Sequence, residues 1–305
     1  MNVPHLSVLY KDIIHALAPR AGGRYIDGTL GAGGHAAGIL QASAPDGELL
    51  GLDLDPQALA IATERLAAFG GRAHIVRASY LEMGREAGRL GWERVDGIVL
   101  DLGVSSMQLD NAERGFSFLQ DGPLDMRFDP SRGASAADLV NGLAENELAD
   151  LLFRYGEERL SRKIARAIVQ NRPFTTTRQL ADLVLKTIGK RERIHPATRT
   201  FQGLRIAVNG ELDAVESVLP LAVEMLRPGG RLAVISFHSL EDRIVKTYFR
   251  RESRDCLCPP AQPVCTCGHR ATLVEINRKP IEADEAEVQA NSRARSAKLR
   301  VVEKK

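Results

Sequence analysis

The chain has 305 residues, 44% of them hydrophobic and 26% charged, with a formal net charge of +2 and a mean hydropathy of −0.16. This is ordinary globular composition, and no apolar run reaches the roughly 20 residues needed to span a bilayer. Met1 to Ile14, with Pro4, His5, Lys11 and Asp12, lacks the apolar core of a signal peptide, so the expectation is a cytoplasmic protein without a membrane partner.

In chain order, short β-branched runs alternate with helical patterns, as in a mostly parallel sheet covered by helices. The first four predicted strands are Arg24–Thr29, Glu48–Leu54, Ala73–Ala78 and Val95–Leu102. A short helix, Ala36–Gln41, follows the first strand. Pro56–Phe69 is predicted as a helix, with Asp55 as N-cap, Pro56 at its first position and Gly70-Gly71 past its end. A fifth strand, Arg231–His238, follows the turn Leu226-Arg227-Pro228-Gly229-Gly230, and Thr272–Ile276 and Lys298–Glu303 form a terminal antiparallel pair.

Between Leu102 and Arg231 lie 128 residues, far more than a parallel crossover needs. Leu148, Leu151, Leu152 and Tyr155 recur at helical spacing, as do Leu160, Ile164 and Ile168, and then Leu180, Leu183 and Val184. The reading is an α/β domain, 1–130 and 210–305, interrupted by a small helical domain, 131–209. A helix from Leu212 to Leu226, with a kink at Pro220, returns to the core. Twelve Lys/Arg and only two acidic residues lie from Arg159 to Arg205, so the insert is strongly basic and the remainder of the chain net acidic. A solvated helical surface is the usual meaning of a charge run, and such lopsidedness raises the reading of a nucleic-acid partner beside it.

The densest motif is Tyr25-Ile26-Asp27-Gly28-Thr29-Leu30-Gly31-Ala32-Gly33-Gly34-His35, an apolar strand ending in an acid and a glycine-rich turn that opens a helix. Glycine lets the backbone approach a ligand, and the helix start offers unpaired N–H groups. Gly28-x-x-Gly31-x-Gly33 departs from the dinucleotide spacing G-x-G-x-x-G, and no pyrophosphate needs a cradle here. Asp53 ends the second strand where it would hold ribose hydroxyls. With Asp27 and the turn into strand five, the pattern resembles a class I (Rossmann-like) S-adenosyl-L-methionine methyltransferase. Tyr80, after strand three, is a candidate for the adenine ring and equally for the core.

Strand four runs into Asp101-Leu102-Gly103-Val104-Ser105-Ser106, and reactive groups in open α/β sheets gather beyond the carboxyl ends of the strands. Asp101 is a candidate either to accept a proton from an attacking amino group or to hold the amino end of the cofactor.

In order along the chain stand Asp27–His35, Asp101–Ser106, Gly115-Phe116-Ser117-Phe118, Leu124-Asp125-Met126-Arg127, Ser236-Phe237-His238-Ser239-Leu240-Glu241-Asp242-Arg243, Asn277-Arg278-Lys279-Pro280 and Asn291-Ser292-Arg293-Ala294-Arg295. From His5 to Leu299 they resemble the bacterial 16S rRNA cytosine-N4 methyltransferases. The resemblance implies methylation of cytidine 1402 in the decoding centre, the 16S rRNA of the small ribosomal subunit as partner, and a helical domain inserted between strands four and five. It implies cofactor contacts from Gly33, Gly34, His35, Asp53, Tyr80, Asp101 and Gln108, of which His35 and Gln108 rest on the resemblance alone. Many amino-methyltransferases follow the strand-four acid or amide with Pro-Pro-aromatic. Here Leu102-Gly103-Val104 stands instead, leaving Phe116, Phe118, Phe237 and His238 as candidates to stack the target base.

Phosphate contacts are expected from the basic insert and from Arg293, Arg295, Lys298 and Arg300. Cys256, Cys258, Cys265 and Cys267 form two C-x-C pairs followed by His269, readable as a zinc site or as a reduced loop; the resemblance requires no metal and none is assigned. A methyltransferase acting on another RNA or a protein, a dehydrogenase, and an RNA-binding scaffold with a decayed loop are the rival readings.

Overall fold

The computed structural model describes residues 7–189 and 195–305; His5, Lys190, Arg191 and Arg193 lie outside them. The chain divides into two compact units, the residues up to Gly103 with Leu212–Lys305, and Val104–Glu211.

The first unit is a seven-stranded sheet. Its strands are β1 (Arg24–Asp27), β2 (Glu48–Asp53), β3 (Ala73–Arg77), β4 (Val95–Asp101), β5 (Leu226–Ser236), β6 (Leu273–Glu275) and β7 (Lys298–Lys304), in the order β3-β2-β1-β4-β5-β7-β6. β1 to β5 pair in parallel, whereas β7 runs antiparallel to both β5 and β6. β5 begins at Leu226 rather than at Arg231, because Leu226 pairs with Val95 across a register shift that absorbs the Pro228-Gly229-Gly230 turn.

Strands buried on both faces need apolar side chains on both, and the central positions of β1, β2, β4 and β5 supply them. Ile26, Leu50, Ile98, Leu100, Leu232 and Val234 enter one core, while Tyr25, Leu49, Val99, Ala233 and Ile235 enter the other. The second core is closed by α1 (Tyr10–Leu17), α2 (Gly34–Ala42) and α3 (Pro56–Leu66), through Ile13, Leu17, Ile39, Ala62 and Leu66. The first is closed by α4 (Met83–Arg89) and by two helices that flank β5 in sequence, Glu211–Met225 and Ser239–Glu252. Asp55 caps α3, accepting from the Gln57 N–H at 3.0 Å, with Pro56 in the first turn.

The second unit is helical: α5 (Ser106–Asp110), α6 (Ala136–Gly142), α7 (Glu145–Gly156), α8 (Ser161–Gln170), α9 (Thr177–Ile188) and α10 (Thr198–Asn209). It begins well before Ser131 because Phe116, Leu124 and Met126 are buried among Leu148, Leu152, Ile164, Leu180 and Leu204. Along α8, Ile164, Ala165 and Ile168 are buried while Arg162, Lys163 and Arg166 are exposed, a period-3.6 division of one helix into core and charged faces. Two of the basic residues serve the fold. Arg172 donates to the carbonyls of Val140 and Leu143, and Arg205 makes a bidentate pair with Glu211 at 2.9 Å through each nitrogen. The returning helix, α11 (Glu211–Met225), carries Pro220 inside it.

In the first unit, Arg300 of β7 is buried and pairs with Asp242 of α12 (Ser239–Glu252) at 2.7 and 3.2 Å. Arg300 is therefore a structural cation and not the phosphate contact expected of it. Burial pushes the Asp242 carboxyl up, but Arg300 outweighs that and holds it below the usual range. Removing one partner of a buried pair strands the other, at a cost of roughly 3–5 kcal/mol. Asp242→Asn is expected to lower unfolding stability by about 3 kcal/mol at pH 7, measured by denaturant titration. The deficit should shrink as pH falls through the folded-state pKa of Asp242, where the wild-type carboxylate is itself protonated.

Candidate active site

The C-terminal edge of the parallel strands gathers Asp27, Asp53 and Asp101, one each from β1, β2 and β4. Between the first two, the chain turns through Gly31 and Gly33, at φ 51° and 76°, a region costly for any residue with a Cβ. Gly33 is the N-cap of α2 and supplies no side chain to satisfy the first N–H groups of that helix, leaving them to a ligand. Gly28 is required by packing: a Cβ there would fall 2.6 Å from Leu100 and 3.1 Å from the Cβ of Tyr80. That contact also places Tyr80 beside the turn, while its ring packs against the first core.

Asp53 locks the turn in place. One carboxylate oxygen accepts from the Gly31 N–H at 2.8 Å and the other from the Asp55 N–H at 2.9 Å. The carboxylate has about four acceptor sites, so these donors leave capacity for a ligand hydroxyl. Burial raises the Asp53 carboxyl above the ordinary range in spite of these donors. Asp101 is held from the backbone side, its N–H donating to the Thr29 hydroxyl at 2.6 Å. Its Oδ2 stands 3.6 Å from His35 Nε2, and its Oδ1 is buried with no hydrogen-bond partner.

His35, 5% exposed, lies nearly parallel to Tyr10 with ring centroids 6.3 Å apart, and neither of its ring nitrogens has a hydrogen-bond partner. Burial disfavours its protonation, but the carboxylates of Asp101 and Asp27 more than offset that and raise its pKa. Asp27 is 1% exposed and accepts from the Thr29 N–H at 3.2 Å. Burial pushes its carboxyl up to about 7; His35 opposes this, and the charges of Asp101 and Asp53 add to it.

Buried polar atoms without partners cost free energy unless a ligand satisfies them. A cationic centre with an amino acid end and a ribose suits this set: positive charge for the carboxylates, hydroxyls for Asp53, a carboxylate for the α2 N–H groups and an ammonium for Asp101.

Sequence reasoning placed Gly33, Gly34, His35, Asp53, Tyr80 and Asp101 in this region, and the structure sets all six in the first unit. Gln108 belongs to the second unit. There it forms a capping box for α5, its side chain accepting from the Ser105 N–H at 3.0 Å and its own N–H donating to Ser105 Oγ at 3.2 Å. The candidate stacking residues also separate. Phe116 is buried against Phe128, Phe118 packs on His195 and Phe201, and His238 caps α12 through the Glu241 N–H. Phe237 is half-buried, its ring 3.6 Å from where a Cβ on Gly103 would stand. Sequence reasoning missed Glu241, which is 1% exposed and accepts from the Phe237 N–H at 2.9 Å, fixing the turn after β5. Glu241 stands in the Ser236–Arg243 string that carries the resemblance, without a role assigned to it there.

A sheet of this order with antiparallel β7, an acid and a glycine turn after β1, and carboxylates closing β2 and β4 defines a class I S-adenosylmethionine-dependent methyltransferase. Residues 2–305 match the MraW methylase family, and the chain belongs to it. A relative from Citrifermentans bemidjiense named ribosomal RNA small subunit methyltransferase H is 55% identical over 306 residues, covering 98% of each chain. One of the same name from Geobacter sulfurreducens is 54% identical over 310 residues, covering 100% of each. An rRNA methylase structure from Streptococcus thermophilus is similar at 10% identity and a TM-score of 0.44, covering 97% of this chain and 93% of that one.

The raised Asp27 pKa yields a signed prediction. Without cofactor the folded chain holds the Asp27 proton more tightly than the unfolded chain, so stability falls as pH rises from about 4 through about 7. Asp27→Asn should flatten that fall in thermal unfolding across pH 4–8, while weakening S-adenosylmethionine binding at pH 8 by about tenfold in calorimetry. A variant whose stability keeps the wild-type pH slope would show that Asp27 is not the group titrating.

Proposed function

We propose that this chain methylates the N4 amino group of cytidine 1402 in 16S rRNA, with S-adenosyl-L-methionine as the donor. The observation that carries the reading is the end-to-end identity, above half, with relatives named ribosomal RNA small subunit methyltransferase H. The cytosine, its N4 atom and the nucleotide position are what the resemblance to the bacterial 16S rRNA cytosine-N4 methyltransferases implies, a resemblance carried by motifs that include Ser236–Arg243 and Asn291–Arg295.

The donor supplies an electrophilic methyl group on a sulfonium; the protein must hold the acceptor, take its proton and keep water out. A cytosine amino nitrogen has its lone pair delocalised into the ring and becomes acidic only as it begins to bond. An acceptor already desolvated at that point lowers the barrier. Asp101 Oδ1 is such an atom: buried, without a donor, at the end of β4. Asp27 and Asp53 supply the negative field and the ribose contact, and Gly33 and Gly34 open the α2 N–H groups to the donor's carboxylate. His35 and Tyr80 border the same turn, and Phe237 is the remaining candidate for the base platform.

Basic side chains support a polyanionic substrate. In the second unit Arg159, Arg162, Lys163, Arg178 and Lys186 are exposed. In the first, Arg250, Arg254, Arg278 and Lys305 line a cleft of about 440 Å³. Such groups bind phosphates with a strong dependence on salt and help offset the few kcal/mol needed to extrude a base.

Asp101→Ala is expected to reduce single-turnover methyl transfer to small subunits by at least about 100-fold while leaving rRNA affinity within about twofold. Transfer at the wild-type rate would remove Asp101 from the chemistry. A loss confined to cofactor affinity, with turnover intact at saturation, would make it a ligand for the donor's amino end. The reading as a whole is tested by mass spectrometry of small-subunit rRNA from cells lacking this protein, with and without its return. The expected result is loss and recovery of one methyl group at N4 of cytidine 1402; an unchanged cytidine there, or a methyl lost elsewhere, overturns the assignment.

A further inference from the structure

All four cysteines of the chain, Cys256, Cys258, Cys265 and Cys267, fall in the connection between α12 and β6. From Glu252 to Leu273 this connection has no regular secondary structure, whereas structureless loops beyond about 12–15 residues are uncommon in compact domains without a ligand or function to order them. It has no core of its own: Leu257 is 42% and Val264 69% exposed. Yet it is folded on itself, with Gln262 donating to the Val264 carbonyl and to Thr266 Oγ1 at 3.0 and 2.9 Å.

The sulfurs are what this fold brings together. All four Sγ atoms lie within 4.8 Å of one another, with Cys256–Cys265 and Cys265–Cys267 at 3.5 Å and Cys256–Cys267 at 3.9 Å. Four thiolates at the Zn–S distance of about 2.3 Å around a tetrahedral ion stand about 3.8 Å apart along each edge, close to the three separations among Cys256, Cys265 and Cys267, with Cys258 within 4.8 Å of each. The spacing is not that of disulfides, which need pairs near 2.05 Å. Cys265 is equidistant from Cys256 and Cys267, so no pairing is favoured. Backbone N–H groups point at the sulfurs as they would at negative charge: Leu257 to Cys267 at 3.3 Å, Cys258 to Cys256 at 3.4 Å and Thr266 to Cys258 at 3.4 Å. His269, next along the chain, has its Nε2 3.0 Å from the Arg251 carbonyl and is outside the cluster.

We propose that Cys256, Cys258, Cys265 and Cys267 are a tetrathiolate site for one Zn²⁺ ion, which folds this loop. Binding converts four thiols to thiolates and releases their protons to solvent, with no redox change. All four positions are filled by protein, so the ion is structural rather than catalytic. A soft, all-sulfur tetrahedron selects zinc over the oxygen-seeking cations. The site also lies away from the cofactor turn. α12 leaves the C-terminal end of β5 and runs back, β6 starts at the opposite edge, and Lys305, at the end of antiparallel β7, reaches Asp255 at 3.9 Å.

The test uses the full chain, purified under reducing conditions without chelator and analysed for metals by mass spectrometry. About one zinc per chain is expected, released in step with titration of four thiols by an organomercurial. Cobalt loaded in its place should give the visible bands of tetrahedral cobalt thiolate. Cys258→Ser/Cys267→Ser should lower bound zinc at least tenfold, while S-adenosylhomocysteine affinity stays within twofold. The proposal is overturned by wild-type protein that holds less than about a tenth of an equivalent after zinc is offered, by iron in place of zinc, or by a native chain whose cysteines are two disulfides. Because the decisive reading is taken on wild-type protein, a misfolded variant leaves it intact.

Discussion

Crowding of like charge at one edge of the sheet is the constraint on which the first unit depends. Burial is the main cost of ionising Asp27, which is almost wholly buried, and the charges of Asp101 and Asp53 add to it, as Asp55 adds to the cost at Asp53. A folded protein retains such an arrangement only where ligands or local donors compensate. The Gly31 and Asp55 N–H groups compensate Asp53, and the Thr29 N–H compensates Asp27, while the Thr29 hydroxyl accepts from the Asp101 N–H and so fixes its backbone, not its carboxylate. What stays uncompensated, Asp101 Oδ1 and both nitrogens of His35, marks where a cation and its polar groups would sit. The glycine turn serves the same end: Gly31 and Gly33 take positive φ, and Gly33 starts α2 without a side-chain cap on its first N–H groups.

Much of this was legible in the sequence because its causes are local. The strand ends, the acid before the turn, the Asp55-Pro56 start of α3 and the antiparallel terminal pair all follow from neighbours in the chain. What escaped depends on distant residues. The start of β5 at Leu226 is set by pairing with Val95, not by its own Pro-Gly-Gly. The helical unit starts at Val104 because irregular segments carrying Phe116, Leu124 and Met126 complete its core, and irregular segments have no period to detect. α1, α6 and α10 went unassigned for a related reason, each being short or broken by polar residues whose partners lie elsewhere.

Charge was the least legible property. Counting twelve basic residues from Arg159 to Arg205 locates a concentration of positive charge but treats every cation alike. Arg172 and Arg205 spend theirs on carbonyls and a carboxylate inside that unit, and Arg300 spends its charge on Asp242. Arginine is suited to such work because its planar fork satisfies several acceptors at once, so a buried arginine opposite an acid is architecture before it is a nucleic-acid contact. Gln108 makes the same point for a polar residue: in this structure its first role is to close a helix start.

The antiparallel β7 explains how one sheet serves two purposes at opposite edges. By returning against β5 it brings the chain terminus to the edge where β6 begins, and its Arg300 ties α12 to the sheet. α12 therefore has both ends fixed: His238 and Glu241 at the reactive edge, and the cysteine loop at the other. Glu241 accepts from the Phe237 N–H and so holds the turn after β5 at the start of the helix. A metal-braced loop at the far end would hold the remainder of that helix without placing a second cation among the carboxylates, where it would compete with the sulfonium for the same field.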